Sequence, residues 1–296
     1  MTIYSQIKKN KWRTAAIFSI FTLIVCGFFY LIGTVYDSPT GYFLFGLLLA
    51  VGSGFFSYFY SDKLILLTVN AKPANKKDHF DFYTVAENLS IAAGLPMPKL
   101  YVIEDQAPNA FATGRDYKHA VVCVTTGLLD QLERVELEGV IAHELSHIKN
   151  YDILLSSVVV SLVGAVSLVS DWILRNIWWS RRDDDRANRN PLLLIFVIIA
   201  LVIGPLVATL IQLAISRQRE FLADANGALI TRYPEGLARA LEKISHHARV
   251  LQGATPATAH LFIVNPLKVK KITSRISGLF NTHPPVEERI RILRSM

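Results

Sequence analysis

Cysteine is nearly missing from this sequence: 296 residues contain only Cys26 and Cys123. Cys26 lies in an apolar block and Cys123 in a stretch of strand character, with no Cys-x-x-Cys pair. A disulfide-stapled scaffold is excluded, and nothing requires an oxidising compartment. The net charge of +7 and pI near 9.4 would suit a nucleic-acid binder, but no RNA- or DNA-binding signature accompanies them, so no nucleic acid is expected as partner. The chain also lacks internal repeats and low-complexity linkers. Charge itself is missing over residues 15–35, a run of 21 positions.

What is present is apolar sequence in blocks. Hydrophobic residues make up 51% of the chain and the mean hydropathy is +0.33, too apolar for a typical soluble protein. The uncharged run at 15–35 is long enough to cross roughly 30 Å of hydrocarbon as a helix. A signal peptide would have a shorter apolar core, and here a second apolar block at 42–60 follows at once. The two predict a membrane hairpin over 1–60, in contact with the lipid bilayer and turned at residues 36–41. Basic flanks at 8–13 and 63–77, against a single Asp37 in the turn, predict that both ends face the cytoplasm.

Residues 61–150 are mixed and globular in character. A helix is expected over 80–93, stopped by Gly94, Pro96 and Pro98. Strands are expected at 99–103, 109–114 and 119–125, the last two joined through Arg115 and Asp116, then short helices at 127–132 and 134–150. Segment 151–215 holds apolar blocks at 153–170 and 191–215 around a loop with five arginines and Trp178-Trp179. It reads as a second membrane hairpin or as buried helices. From 216 to 296 the chain is again polar, with helices expected at 216–225, as a continuation of the preceding one, at 234–251 and at the C-terminus.

The chemistry centres on Ala142-His143-Glu144-Leu145-Ser146-His147. On a helix, His143 and His147 at i and i+4 point two imidazoles at one spot, which suits zinc. Glu144 beside them can serve as general base. Chance also produces such motifs, so the rest of the site must be found elsewhere. Glu220 and Asp224 also stand at i and i+4. A carboxylate from a second helix is the usual third protein ligand in such a site, and Asp224 can accept the free N–H of a zinc histidine. The plainer alternative is a charged surface face.

These motifs, with Pro108-Asn109-Ala110-Phe111-Ala112-Thr113-Gly114, Ser216-Arg217-Gln218-Arg219-Glu220 and Thr282-His283-Pro284, resemble the HtpX-type membrane proteases of the M48 metallopeptidase family, in the family's order along the whole chain. The resemblance implies an α+β, zincin-type (gluzincin-like) protease domain built from 61–150 and 216–296, holding one zinc ion per chain on His143, His147 and Glu220, with Glu144 as base. It implies His283 as oxyanion donor and an exposed edge strand, Asn109, Ala110, Phe111 and Ala112, that aligns an extended peptide. Arg217 and Arg289 either orient carboxylates near the site or form ordinary salt bridges. His246, His247 and His260 fall outside any ligand spacing. The implied function is a zinc endopeptidase of inner-membrane quality control and stress response, with polypeptide substrates, chiefly damaged membrane proteins, and self-cleavage among them. The rivals are processing of prenylated peptides by CAAX-type relatives and a non-enzymatic scaffold with a vestigial site.

Overall fold

A computed structural model describes residues 3–164, 166, 216–246, 250–255, 257–266 and 284–296. The chain opens with two antiparallel helices, α1 (Ile3–Val35) and α2 (Pro39–Thr68), reversing through three residues with Pro39 starting the second. Both are long and apolar enough to cross a membrane. Leu23, Leu48 and Phe55 along them are 72%, 74% and 62% exposed, an apolar surface that water would not tolerate over such a length. Both helices run past their apolar blocks: α1 continues through the basic flank, and α2 carries Ile65 and Leu66 into the core of the following domain.

That domain starts with the short strand β1 (Lys72–Pro73) and α3 (Phe80–Ala93), which ends at Gly94 in the left-handed region, φ 68°. Strands β2 (Lys99–Ile103), β3 (Ala110–Gly114) and β4 (Ala120–Thr125) follow. The sheet order is β1-β2-β4-β3, with β2 and β4 parallel and the other pairs antiparallel. Side chains alternate across it. Val102, Ala110, Ala112, Val122 and Val124 join a core with the helices on one face, whereas Ile103, Phe111, Val121 and Cys123 pack with Ile65, Leu66 and Phe262 on the other. Burial on both faces explains the unbroken Val-Val-Cys-Val run of β4.

After the short α4 (Thr126–Gln131), α5 (Arg134–Lys149) carries the His-Glu-x-x-His motif through the core beneath the sheet. The Glu133 backbone N–H donates to Glu136 Oε2 at 2.8 Å and closes its first turn. The chain breaks at Tyr151, φ 60°, and restarts as α6 (Asp152–Gly164). Leu154, Leu155, Val158 and Val159 of α6 form a second core with Ile17, Phe21 and Ala50 of the hairpin. The segment beyond, including the arginine-rich loop and the apolar block at 191–215, lies outside the described residues.

Helices α7 (Arg217–Thr231), α8 (Pro234–His246) and α9 (Val286–Leu293) complete the domain. Helix α7 does not continue a preceding helix, because Ser216 is extended at φ −154°, ψ 111°. It crosses α5 closely: a Cβ at Gly227 would stand 3.2 Å from the His143 backbone N. That crossing brings Glu220 and Asp224 to the motif.

Candidate metal centre

Helix α5 places His143, Glu144 and His147 on its buried side, with His143 and Glu144 only 1% and 2% exposed. The two Nε2 atoms stand 3.1 Å apart. Glu220 Oε1 is 3.6 Å from His147 Nε2, and Glu220 Oε2 is 3.9 Å from His143 Nε2. All three ligand atoms lie within 4.8 Å of one another.

The far side of each imidazole faces a carboxylate. His143 Nδ1 lies 2.9 Å from Asp224 Oδ1, and His147 Nδ1 lies 3.0 Å from Asp152 Oδ2. A carboxylate on Nδ1 fixes the tautomer that leaves Nε2 as a lone-pair donor. Two such nitrogens and a carboxylate oxygen converging on one point fit a divalent metal with nitrogen and oxygen preference, zinc among them.

Each orienting carboxylate is itself held. Arg289 of α9, fully buried, donates to Asp224 through Nε at 2.8 Å and Nη2 at 2.7 Å, and its Nη1 donates to the Ile263 carbonyl at 3.0 Å. Asp152 accepts 2.7 Å from Asn10 Nδ2 of α1, has the buried Arg219 Nε at 3.7 Å, and begins α6, where a carboxylate suits the helix dipole. Asn10 Nδ2 also donates to the Asn150 carbonyl at 2.9 Å, so the first helix of the chain reaches the surroundings of His147.

Charge follows from these contacts. Burial pushes the Glu144 carboxyl up to about 7, against the pull of His147, Arg289 and the Ala112 backbone N–H that donates to it. Burial would lower His147, but in the metal-free site Asp152, Glu220 and Glu144 outweigh it and raise it to about 9, so a metal binding there displaces the Nε2 proton. Burial lowers His143, with Asp224 opposing. Burial favours the neutral form of Asp224, yet Arg289 dominates and holds it at about 2.

Several sequence expectations change here. Arg217 is exposed, and of the two arginines at the start of α7 it is Arg219, on the inward face with Ala223 and Gly227, that approaches a carboxylate. The strand at 109–114 is an edge strand but not an exposed one. All five residues of β3 are buried, Phe111 stacks edge-on against Phe262 at 5.0 Å on the face away from the motif, the Ala110 carbonyl accepts from Ile263, and Gly114 N donates to Ser157 Oγ. Asn109 is 4% exposed and donates 2.8 Å to the Val264 carbonyl. Ala112 alone of these lines the cleft, a cavity of about 40 Å³ over His143, Glu144, His147 and Glu220, which has room for roughly an ion and a water or two. His260, set aside in the sequence, lines it too. His283 lies outside the described residues. Asp152 and Asn10 went unnoticed; a carboxylate five positions past the second histidine was the available signal for the first.

The sequence profile of peptidase family M48 matches residues 78–296. This chain belongs to peptidase family M48. Within the family, the chain is 47% identical over 294 residues to a "Protease HtpX homolog" of Tropheryma whipplei strain Twist, covering 99% of this chain and 98% of that one. A homologue of the same name from Dictyoglomus thermophilum is 46% identical over 298 residues, covering 100% and 95%. The crystal structure of S. mikatae Ste24p superposes with a TM-score of 0.51 at 18% identity, over 95% of this chain and 66% of that one, a likeness of fold. This M48 protein is a membrane metalloprotease, with a metal-dependent site and polypeptide substrates.

Proposed function

We propose that this M48 protein is a zinc endopeptidase that cleaves misfolded or damaged membrane proteins, and copies of itself, from a site facing the cytoplasm. Its protease domain is of zincin type, assembled from 61–150 and 216–296 around a second membrane hairpin within 151–215. The observation that carries the reading is the convergence of His143 Nε2, His147 Nε2 and a Glu220 oxygen, with both Nδ1 atoms faced by Asp224 and Asp152.

His143, His147 and Glu220 would hold one zinc ion, which when bound supplies Lewis-acid activation of the scissile carbonyl and of water. Glu144, buried beside the ligand set, takes the proton from the attacking water and returns it to the leaving amine. Ala112 is the residue of this strand that reaches the cleft, where its backbone N–H donates to Glu144, while Asn109, Ala110 and Phe111 hold the strand in place behind it. His283 is the proposed donor to the oxyanion.

The full-length chain in detergent tests the base. Glu144→Gln should retain stoichiometric zinc yet cleave casein about 10²–10⁴-fold more slowly, the usual worth of a general base. If wild type and variant are equally inactive on unfolded proteins, the scaffold reading takes over. His283→Ala should lower turnover with zinc retained; unchanged turnover removes His283 from the mechanism. The CAAX-type alternative has the fold likeness at 18% identity behind it, whereas the HtpX homologues match nearly the full chain at 42–47%.

A further inference from the structure

A second cavity, of about 580 Å³, opens away from the metal centre where the helical hairpin meets the protease domain. Lys11 and Phe18 of α1 line it, with Tyr58 of α2, Arg115 and Lys118 of the β3–β4 turn, and Tyr151 at the break after α5. Lys11 and Phe18 are seven positions apart on one helix, a rise of about 10 Å, and the uncharged run of α1 begins between them. One end of the cavity is therefore cationic and the other apolar, at the level where hydrocarbon gives way to water.

The charges are placed rather than diffuse. Lys11 Nζ sits 4.7 Å from the centroid of the Tyr151 ring, and the Arg115 guanidinium lies 5.3 Å from that of Phe59. Among the described residues, Asp116 is the one carboxylate on the wall. It accepts from the backbone N–H groups of Lys118 and His119 at 2.8 and 2.9 Å, with His119 Nδ1 at 2.8 Å and Arg115 Nε at 3.6 Å. Three cations against that carboxylate leave a surplus of two positive charges. Tyr151 holds φ at 60°, costly for a bulky residue, and its ring packs edge-on to Tyr117 at 6.1 Å in the cavity wall.

We propose that this cavity seats the phosphate headgroup of an anionic membrane phospholipid, the phosphate on Lys11, Arg115 and Lys118 and the acyl chains along Phe18. The proposal rests on the membrane reading of the hairpin. The cations alone would also take a free phosphate. The apolar wall that continues down α1 from Lys11 to Phe18 is what selects a lipid.

The test uses the full-length protein in detergent, incubated with phosphatidylglycerol or phosphatidylcholine, with bound lipid counted by native mass spectrometry. Wild type should retain one phosphatidylglycerol in preference to phosphatidylcholine, and Lys11→Gln and Arg115→Gln should each weaken retention about fivefold, the effect of one cation near an anionic lipid. Lys8→Gln/Lys9→Gln, on the same helix but off the cavity wall, should retain the lipid as wild type does. Melting curves confirm that each variant is folded, and the exposed Lys118→Gln replaces Arg115→Gln if that variant is not. Equal retention of the two lipids overturns the proposal, as does an equal loss in the Lys8/Lys9 variant, which would mean a diffuse basic flank. Displacement of the lipid by millimolar inorganic phosphate overturns it in favour of a soluble ligand. Reconstitution of wild type into vesicles of each lipid separates the two readings: failure to insert into either sinks the membrane reading and the proposal together, and insertion without lipid preference in detergent sinks the proposal alone.

Discussion

At the scale of single residues, the centre is a set of charges that hold one another in place. Arg289 is buried because Asp224 and the Ile263 carbonyl satisfy it, and Asp224 is ionised because Arg289 is there. The pair makes a pH prediction. Asp224 sits at about 2 in the fold against an ordinary 3.8, so its stabilisation is fully present above pH 4 and is lost as pH falls through 2. It should amount to about 2 kcal/mol. Melting temperatures of the metal-free full-length chain between pH 7 and pH 2 should fall more steeply below pH 4 than those of Asp224→Asn. Parallel curves would mean that this carboxylate contributes nothing to acid sensitivity.

How much of the site was legible depended on whether partners were local. His143, Glu144 and His147 lie within one helical turn, and Glu220 with Asp224 within another, so the 3.6-residue period exposed both sets. Asp152 follows the left-handed Tyr151, where that period is interrupted, and its spacing from His147 matches no helical face. Arg289 stands 65 positions from Asp224 and Asn10 142 from Asp152, pairings that no local pattern encodes. His260 lies in a single 3-10 turn, Ala259–Leu261, which carries no periodic signal at all.

At the scale of elements, strands and helices were readable because their burial patterns are plain, while their environment was not. Helix α3 was expected and found at residues 80–93, and β2 at 99–103. Strand β3 was expected to be exposed, yet α6 and the segment around Ile263 cover it, and neither contact is local in sequence. The close packing of helices under the sheet is specified by glycines. A Cβ on Gly139 of α5 would come within 2.6 Å of the Leu237 backbone N of α8, and backbone cannot move aside as a side chain can. Gly139→Ala should therefore destabilise by about 1–3 kcal/mol. Gly52→Ala, where nothing lies within 4 Å, is the control and should melt as wild type does. Equal melting of the two variants would show that α5 and α8 can separate freely.

At the scale of the whole molecule, the meeting of His147 with Glu220 constrains topology. The chain leaves α5 and returns at α7 to put those atoms 3.6 Å apart, so α5 and α7 lie on the same side of any bilayer the chain meets. The hairpin is likewise bound to the chemistry, since Asn10 of α1 donates to Asp152, which supports His147. Removing an orienting carboxylate commonly costs 10–100-fold in metal affinity, so Asp152→Asn should weaken zinc binding by about that factor, and Asn10→Ala by less in the same direction. Chelator competition on the full-length chain measures both, and unchanged affinity in Asp152→Asn would remove this link. The contact from Asn10 spans 142 positions of sequence and joins α1 to a carboxylate that orients a ligand of the centre. Any change that shifts α1 against the protease domain is therefore felt at His147, and the hairpin's packing tunes how tightly the centre is held.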